Sequence, residues 1–195
     1  MTPKTMQAIK IVEPGKAEIQ NVPVPDLRDN YILVKVKSVA LNPTDWSITP
    51  KSIHSIRLTM IRKHIAFEPL AVPGVTVGCD FSGTVVALGS KCSKDYKPGD
   101  LIAGVTHGSN ASQLQDGCFG EYCMVKEGTT MKVPERLSAE EASTVGVAVV
   151  TVALGLYQKL ELPYPGAKQA GEKEWMMVYG GSTATGSLAI QCAVL

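Results

Sequence analysis

Val178-Tyr-Gly-Gly181-Ser-Thr183-Ala-Thr-Gly186 constrains this chain more than any other stretch. The apolar run "WMMVYG" enters two adjacent glycines, and a helix-forming segment follows. A short continuous apolar run is the pattern of a parallel strand covered on both faces. Gly181 then permits a tight turn, and Gly186 lets helix and strand pack closely. Gly181-x-Thr183-x-x-Gly186 keeps the G-x-G-x-x-G spacing, with threonine in the middle place. Such a turn aims backbone N–H groups and the positive end of a helix at a phosphate. Thr183 blocks the closest backbone approach but offers a hydroxyl instead. Glycine-bearing strand–helix turns also occur without a ligand, so the motif alone leaves both readings open.

The preceding two-thirds of the chain is written in a different pattern. "YILVKVKSVALN" alternates, with Ile32, Val34 and Val36 on one face and Lys35 and Lys37 on the other, as a half-buried strand does. "CDFSGTVVALGS" reads as a second strand, with Gly83 as a bulge or close-approach point. Pro98-Gly99 supplies a turn before the strand Leu101 to Val105, and "GCFGEYCMVKEG" gives another strand. Short strands parted by Gly/Pro turns predict a small antiparallel barrel or sandwich. At Pro134 the pattern changes. Ser138 with Glu141 three positions later is a capping box, and the apolar stretch behind it predicts a helix buried on most sides. The expected division is therefore residues 1–133 and 134–195.

Charge and cysteine usage exclude several classes. The formal net charge of +1, with Lys and Arg scattered, gives no electrostatic reason to expect nucleic acid or an anionic membrane. The N-terminal segment lacks a long apolar core, and the longest apolar run, Ala142 to Leu156, is too broken and short to span a bilayer. Five cysteines, an odd number without a CxxC pair, fit reduced thiols and a cytoplasmic location.

Three further features carry possible chemistry. Cys79-Asp80 offers one or two metal ligands, but no complete ligand set is visible, so a buried thiol beside a hydrogen-bonded aspartate is the reading the sequence favours. In "LNPTDW", Asn42-Pro43 starts a turn and Thr44 or Asp45 caps a short helix; alternatively Asn42, Thr44 and Asp45 line a cleft facing a polar substrate or a nicotinamide. Thr151 sits in mid-helix among apolar residues, where its hydroxyl can simply bond back to the carbonyl four residues earlier. His54, Arg62 and His64 belong to a solvated insertion expected at the cleft mouth.

Taken in order, "VALNPTDW", "PGVTVGCDFSGTVVALGS", "KPGDLIAG", "GCFGEYCMV" and "VYGGSTATGSLAIQ" resemble the medium-chain dehydrogenase/reductase superfamily. Within it they look like the zinc-free, quinone oxidoreductase-like branch, and in particular the fungal trans-acting polyketide enoyl reductases of secondary metabolism. The resemblance implies an α+β fold: a GroES-like antiparallel β-barrel lobe followed by the first β-α unit of a Rossmann domain, C-terminally truncated. It implies NADPH as cofactor, hydride delivery to a conjugated C=C of a small-molecule or carrier-bound substrate, and a polyketide synthase as partner.

By position, Gly180, Gly181, Ser182, Thr183, Ala184 and Thr185 match the phosphate loop of that family. Thr151 matches a helix hydroxyl near the nicotinamide. Asn42, Thr44 and Asp45 match the cleft segment, and Ser47 stands where relatives often carry a lysine toward the cofactor or substrate. The resemblance thus makes Asn42 and Thr151 the expected catalytic residues and the whole set the expected cofactor contacts. Zinc-dependent relatives have Cys in place of Asn42 and His-Glu in place of Cys79-Asp80, which implies no metal. Because relatives continue through an entire nucleotide-binding lobe, the expected alternatives are an inactive or non-catalytic fragment retaining the barrel lobe, and a quinone oxidoreductase.

Overall fold

Strand-forming sequence becomes a sheet only when a neighbour supplies the backbone partners that each strand lacks. The computed structural model describes residues 2–13, 16–47, 72–167 and 175–193. They fall into two compact units, Met1–Thr144 and Val145–Leu195.

The first unit opens with an antiparallel hairpin, β1 (Thr5–Glu13) and β2 (Lys16–Pro23). A second sheet contains β3 (Tyr31–Ala40), β4 (Asp80–Leu88), β5 (Leu101–Val105), β6 (Tyr122–Lys126) and β7 (Thr130–Lys132). Its order is β6-β3-β4-β5-β7, and every pairing is antiparallel. Isolated bridges Ala8↔Gly120 and Lys10↔Thr76 tie β1 to the segments leading into β6 and β4.

The alternation in β3 holds only in part. Ile32 and Val34 enter one core with Phe81, Val85, Ile102 and Val125. Leu33, on the opposite face, enters another with Met6, Tyr122 and Met124. The strand is therefore buried on both faces where it begins and half-buried only from Lys35 onward. Burying a side chain such as Phe81 contributes about 1.5–3 kcal/mol. Gly83 pairs with Val36 beside a register shift, and a Cβ there would strike the Lys35 carbonyl. That is the close approach the lone glycine predicts.

Lys10 is the unusual member of this packing. Its side chain is buried, and its ammonium donates to Gly74 O at 2.7 Å, Thr76 Oγ1 at 2.9 Å and Leu114 O at 2.9 Å. Burial lowers its pKa, while the three acceptors satisfy its donors.

The capping box forms as the sequence predicts. Ser138 Oγ accepts from Glu141 N at 3.2 Å, and Glu141 Oε2 accepts from Ser138 N at 2.8 Å. It starts α2 (Ala139–Ser143), whose Ala142 packs with Ala103 and Val133. Ser82 Oγ donates to Ala139 O at 2.6 Å. This helix accordingly belongs to the first unit, which continues past the change of pattern at Pro134.

The second unit departs from expectation. The long apolar stretch yields a separate helix, α3 (Gly146–Ala153), followed by a π-helical turn, Leu154–Lys159. Val149, Val150 and Leu154 are exposed, so this helix is not covered on most sides. The run predicted to be a buried strand, Met176 to Tyr179, is irregular, and Met177 and Tyr179 are 88% and 98% exposed. A strand needs a ladder partner, and among the described residues none runs beside this segment. The turn and the helix after it do form, with α4 spanning Ala184–Ala193. Among the described residues, no helix is long and apolar enough to cross a membrane.

Candidate functional site

The register Ala40↔Asp80 sets the last residue of β3 against the first of β4. After Leu41 and Asn42, the chain enters α1 (Pro43–Ser47). Proline suits this first helical position because the N–H it lacks would have no partner there. Asn42 precedes the helix, its backbone N–H donating to Asp45 Oδ2 at 2.7 Å while Asp45 N donates to Asn42 O at 2.9 Å. Asp45 thus fills the third helical position with an acceptor, half of a capping box. The Asn42 side chain is occupied separately: Nδ2 donates to Asp80 Oδ2 at 2.8 Å.

Burial shapes the charges around this corner. Asp45 is buried and its Oδ1 has no hydrogen-bond partner. Desolvation raises its pKa, the Asp80 charge adds to the rise, and the Asn42 N–H opposes it. Burial also pushes up the Cys79 thiol, with Asp45 reinforcing the effect and bonds from Gly108 and Thr44 acting against it. Cys118 Sγ donates to the Asp80 carbonyl at 3.1 Å, and burial raises its pKa too. These thiols are held protonated, not poised as nucleophiles. Among the described residues, no group of three or more His, Cys, Asp and Glu could hold a metal ion.

The first unit therefore brings together Asn42, Thr44, Asp45, Cys79 and Asp80. Ser47 is the last residue of α1. His54, Arg62 and His64 lie outside the described residues. An open pocket of about 420 Å³ begins at the neighbouring Leu41 and is lined by Ile19, Val39, Cys118 and Phe119 among others. The pocket was not foreseen from the sequence. Its signal was the apolar pair Val39 and Leu41 flanking the end of an otherwise alternating strand.

Thr151 and the glycine turn belong to the second unit. Thr151 Oγ1 donates to Val147 O at 2.7 Å, the back-bond available to any mid-helix threonine. In the turn, Gly180 adopts the left-handed conformation (φ 85°), so it makes the sharp bend that the motif spacing assigned to Gly181. Thr183 Oγ1 donates to Gly180 O at 2.8 Å and accepts from Gly186 N at 3.0 Å. Its hydroxyl is thereby committed to capping α4. A Cβ on Gly186 would strike the Gly180 carbonyl, which explains the glycine at that place. Ser182, Thr183, Ala184 and Thr185 are exposed around the helix N-terminus. A helix end with exposed small residues fits a diphosphate.

The pattern of the alcohol dehydrogenase GroES-like domain matches residues 28–135. The chain belongs to that family. The trans-enoyl reductase resD of Aspergillus sclerotiorum is 40% identical over 201 residues, covering 97% of this chain and 51% of that protein. The trans-enoyl reductase TOXD of Cochliobolus carbonum is 45% identical over 172 residues, covering 88% and 52%. This member of the GroES-like family spans about half the length of those relatives. Its fold resembles a quinone oxidoreductase from Coxiella burnetii, with TM-score 0.69 at 24% identity, covering 98% of this chain and 54% of the other. CurK enoyl reductase gives TM-score 0.69 at 18% identity, covering 98% and 52%.

Proposed function

We propose that this chain carries cofactor-binding and substrate-facing residues of an NADPH-dependent enoyl reductase acting with a polyketide synthase. The exposed, threonine-capped glycine turn is the observation that supports this reading best. It joins a fold seen in oxidoreductases to an anion-accepting helix end. Gly180 through Thr185 would hold the cofactor diphosphate through backbone N–H groups at the start of α4. Bound NADPH supplies the hydride that adds to the β-carbon of a conjugated C=C.

The remaining roles follow the chemistry of each group. Asn42 offers a carboxamide to the nicotinamide, with Thr44 and Asp45 beside it, and Ser47 supplies a hydroxyl as a further cofactor contact. Thr151 Oγ1 spends its proton on Val147 O, so toward a ligand it acts as an acceptor unless that bond is given up. The pocket beginning at Leu41 suits the apolar part of an acyl substrate. No titratable residue here has to donate a metal ligand for this chemistry.

The test is a titration of NADPH into the purified chain, following its fluorescence, with Ala184→Asp alongside. Aspartate at a helix N-terminus favours the helix, yet its charge repels a diphosphate. Saturable binding that weakens about two- to fivefold or more in the variant supports the reading, since an exposed charge at a helix N-terminus acts with about 0.3–1 kcal/mol. Absence of saturation, or equal affinity in both proteins, refutes it. Comparing NADPH oxidation with an enoyl thioester and with a quinone then separates enoyl reduction from quinone reduction.

A further inference from the structure

We infer that Asp80 is a positioning residue that fixes which end of the Asn42 carboxamide is offered to a ligand. The inference rests on the reading of Asn42 as a nicotinamide contact. Asn42 is gripped twice: Asp45 takes its backbone N–H at 2.7 Å, and Asp80 takes its side-chain Nδ2 at 2.8 Å. With Nδ2 donating to Asp80 Oδ2, the carbonyl oxygen occupies the other branch of the amide and points away from Asp80. Asp80 is itself 2% exposed and sits at the start of a central strand, whereas Asn42 is half-buried and reachable. A rigid, buried element therefore orients a more accessible side chain.

The consequence is polarity. With its nitrogen held, Asn42 presents an acceptor, which suits a ligand N–H or O–H such as a carboxamide or ribose hydroxyl. Without Asp80, the amide can turn about its last torsion and offer either end. Pre-orientation removes that cost from binding. Nothing in the linear sequence connects the two residues, because they meet through the register of β3 with β4.

The experiment uses the full chain labelled with nitrogen-15, together with Asn42→Ala, Asp80→Asn and the double variant. In the unaltered protein, the Asn42 side-chain amide should show two well-separated, slowly exchanging proton signals. Asp80→Asn should move both signals toward those of a free carboxamide, speed their exchange with water and weaken NADPH about tenfold, the scale of one hydrogen bond to a charged group. The double variant should bind no more weakly than Asn42→Ala, because coupled residues are not additive. Additive losses, or Asn42 signals unmoved by Asp80→Asn, overturn the positioning role. If Asn42→Ala leaves NADPH affinity unchanged, the reading of Asn42 as a contact is what fails. Should Asp80→Asn not fold, a rapidly exchanging Asn42 amide in the unaltered chain still overturns the inference.

Discussion

Ser138 and Thr183 each cap a helix, yet what stands behind the two caps differs. Behind Ser138, Ala142 packs on Ala103 and Val133, and Ser82 bonds to the helix backbone. Behind Thr183, α4 buries only Gly186, and the segment before the turn leaves Trp175, Met177 and Tyr179 exposed. The caps are equally well formed because a cap needs only residues three or four apart. A core needs contributions from distant strands. The contrast separates what local sequence can achieve from what only long-range partners supply.

The largest test of that contrast sets a core residue of the first unit against an apolar residue of the second. Phe81→Ala should cost about 3–5 kcal/mol in urea denaturation, because the ring is fully buried. Leu154→Ala, at a position 46% exposed, should stay within about 0.5 kcal/mol. A loss above about 2 kcal/mol at Leu154 would match core substitutions and break the comparison.

The caps sharpen it at a smaller scale. Ser138→Ala should cost about 1 kcal/mol of the first unit's stability. Thr183→Ala should instead raise amide exchange over residues 184–193 while leaving the first unit's denaturation midpoint in place. A shift of that midpoint by Thr183→Ala would show that the two units unfold as one.

The smallest effect probes the cost hidden inside the better-packed unit. Burial raises the Asp45 pKa above its ordinary 3.8, so folding favours the protonated form. Its favourable contribution is present below that ordinary value and is lost as pH rises through the higher folded value. Asp45→Asn keeps an acceptor for the Asn42 N–H and removes the charge. Its midpoint advantage over the unaltered chain should therefore grow as pH rises above 3.8. Parallel pH profiles for the two proteins would show that Asp45 bears no such cost.

Features set by neighbours in sequence were legible: the Pro98-Gly99 turn, the box at Ser138 and a short helix in Asn42-Pro-Thr-Asp45, although it starts at Pro43 and so places Thr44 and Asp45, the expected caps, inside it. Gly83 was legible as well, since a lone glycine in a strand signals close approach. The clasp between Asn42 and Asp80 was not, because strand register brings together residues 38 positions apart. Nor were the acceptors of Lys10, a charged residue within β1 whose partners lie 64 to 104 positions away. Met176 to Tyr179 shows the reverse error: an apolar run names a strand only if something lies alongside it. In the glycine turn, spacing located the bend within one residue but not the glycine that makes it.

Lys10 also bears on the order of events during synthesis. Its ammonium bonds to carbonyls of Gly74 and Leu114, and Ile9 bonds to Phe119. The hairpin with β2 needs only the chain to Pro23, but a ribosome must release it to about residue 119 before β1 can complete its remaining contacts. Until Tyr122 and Met124 follow, Met6 and Ala8 lack part of their cover, a window in which a chaperone would have its firmest hold.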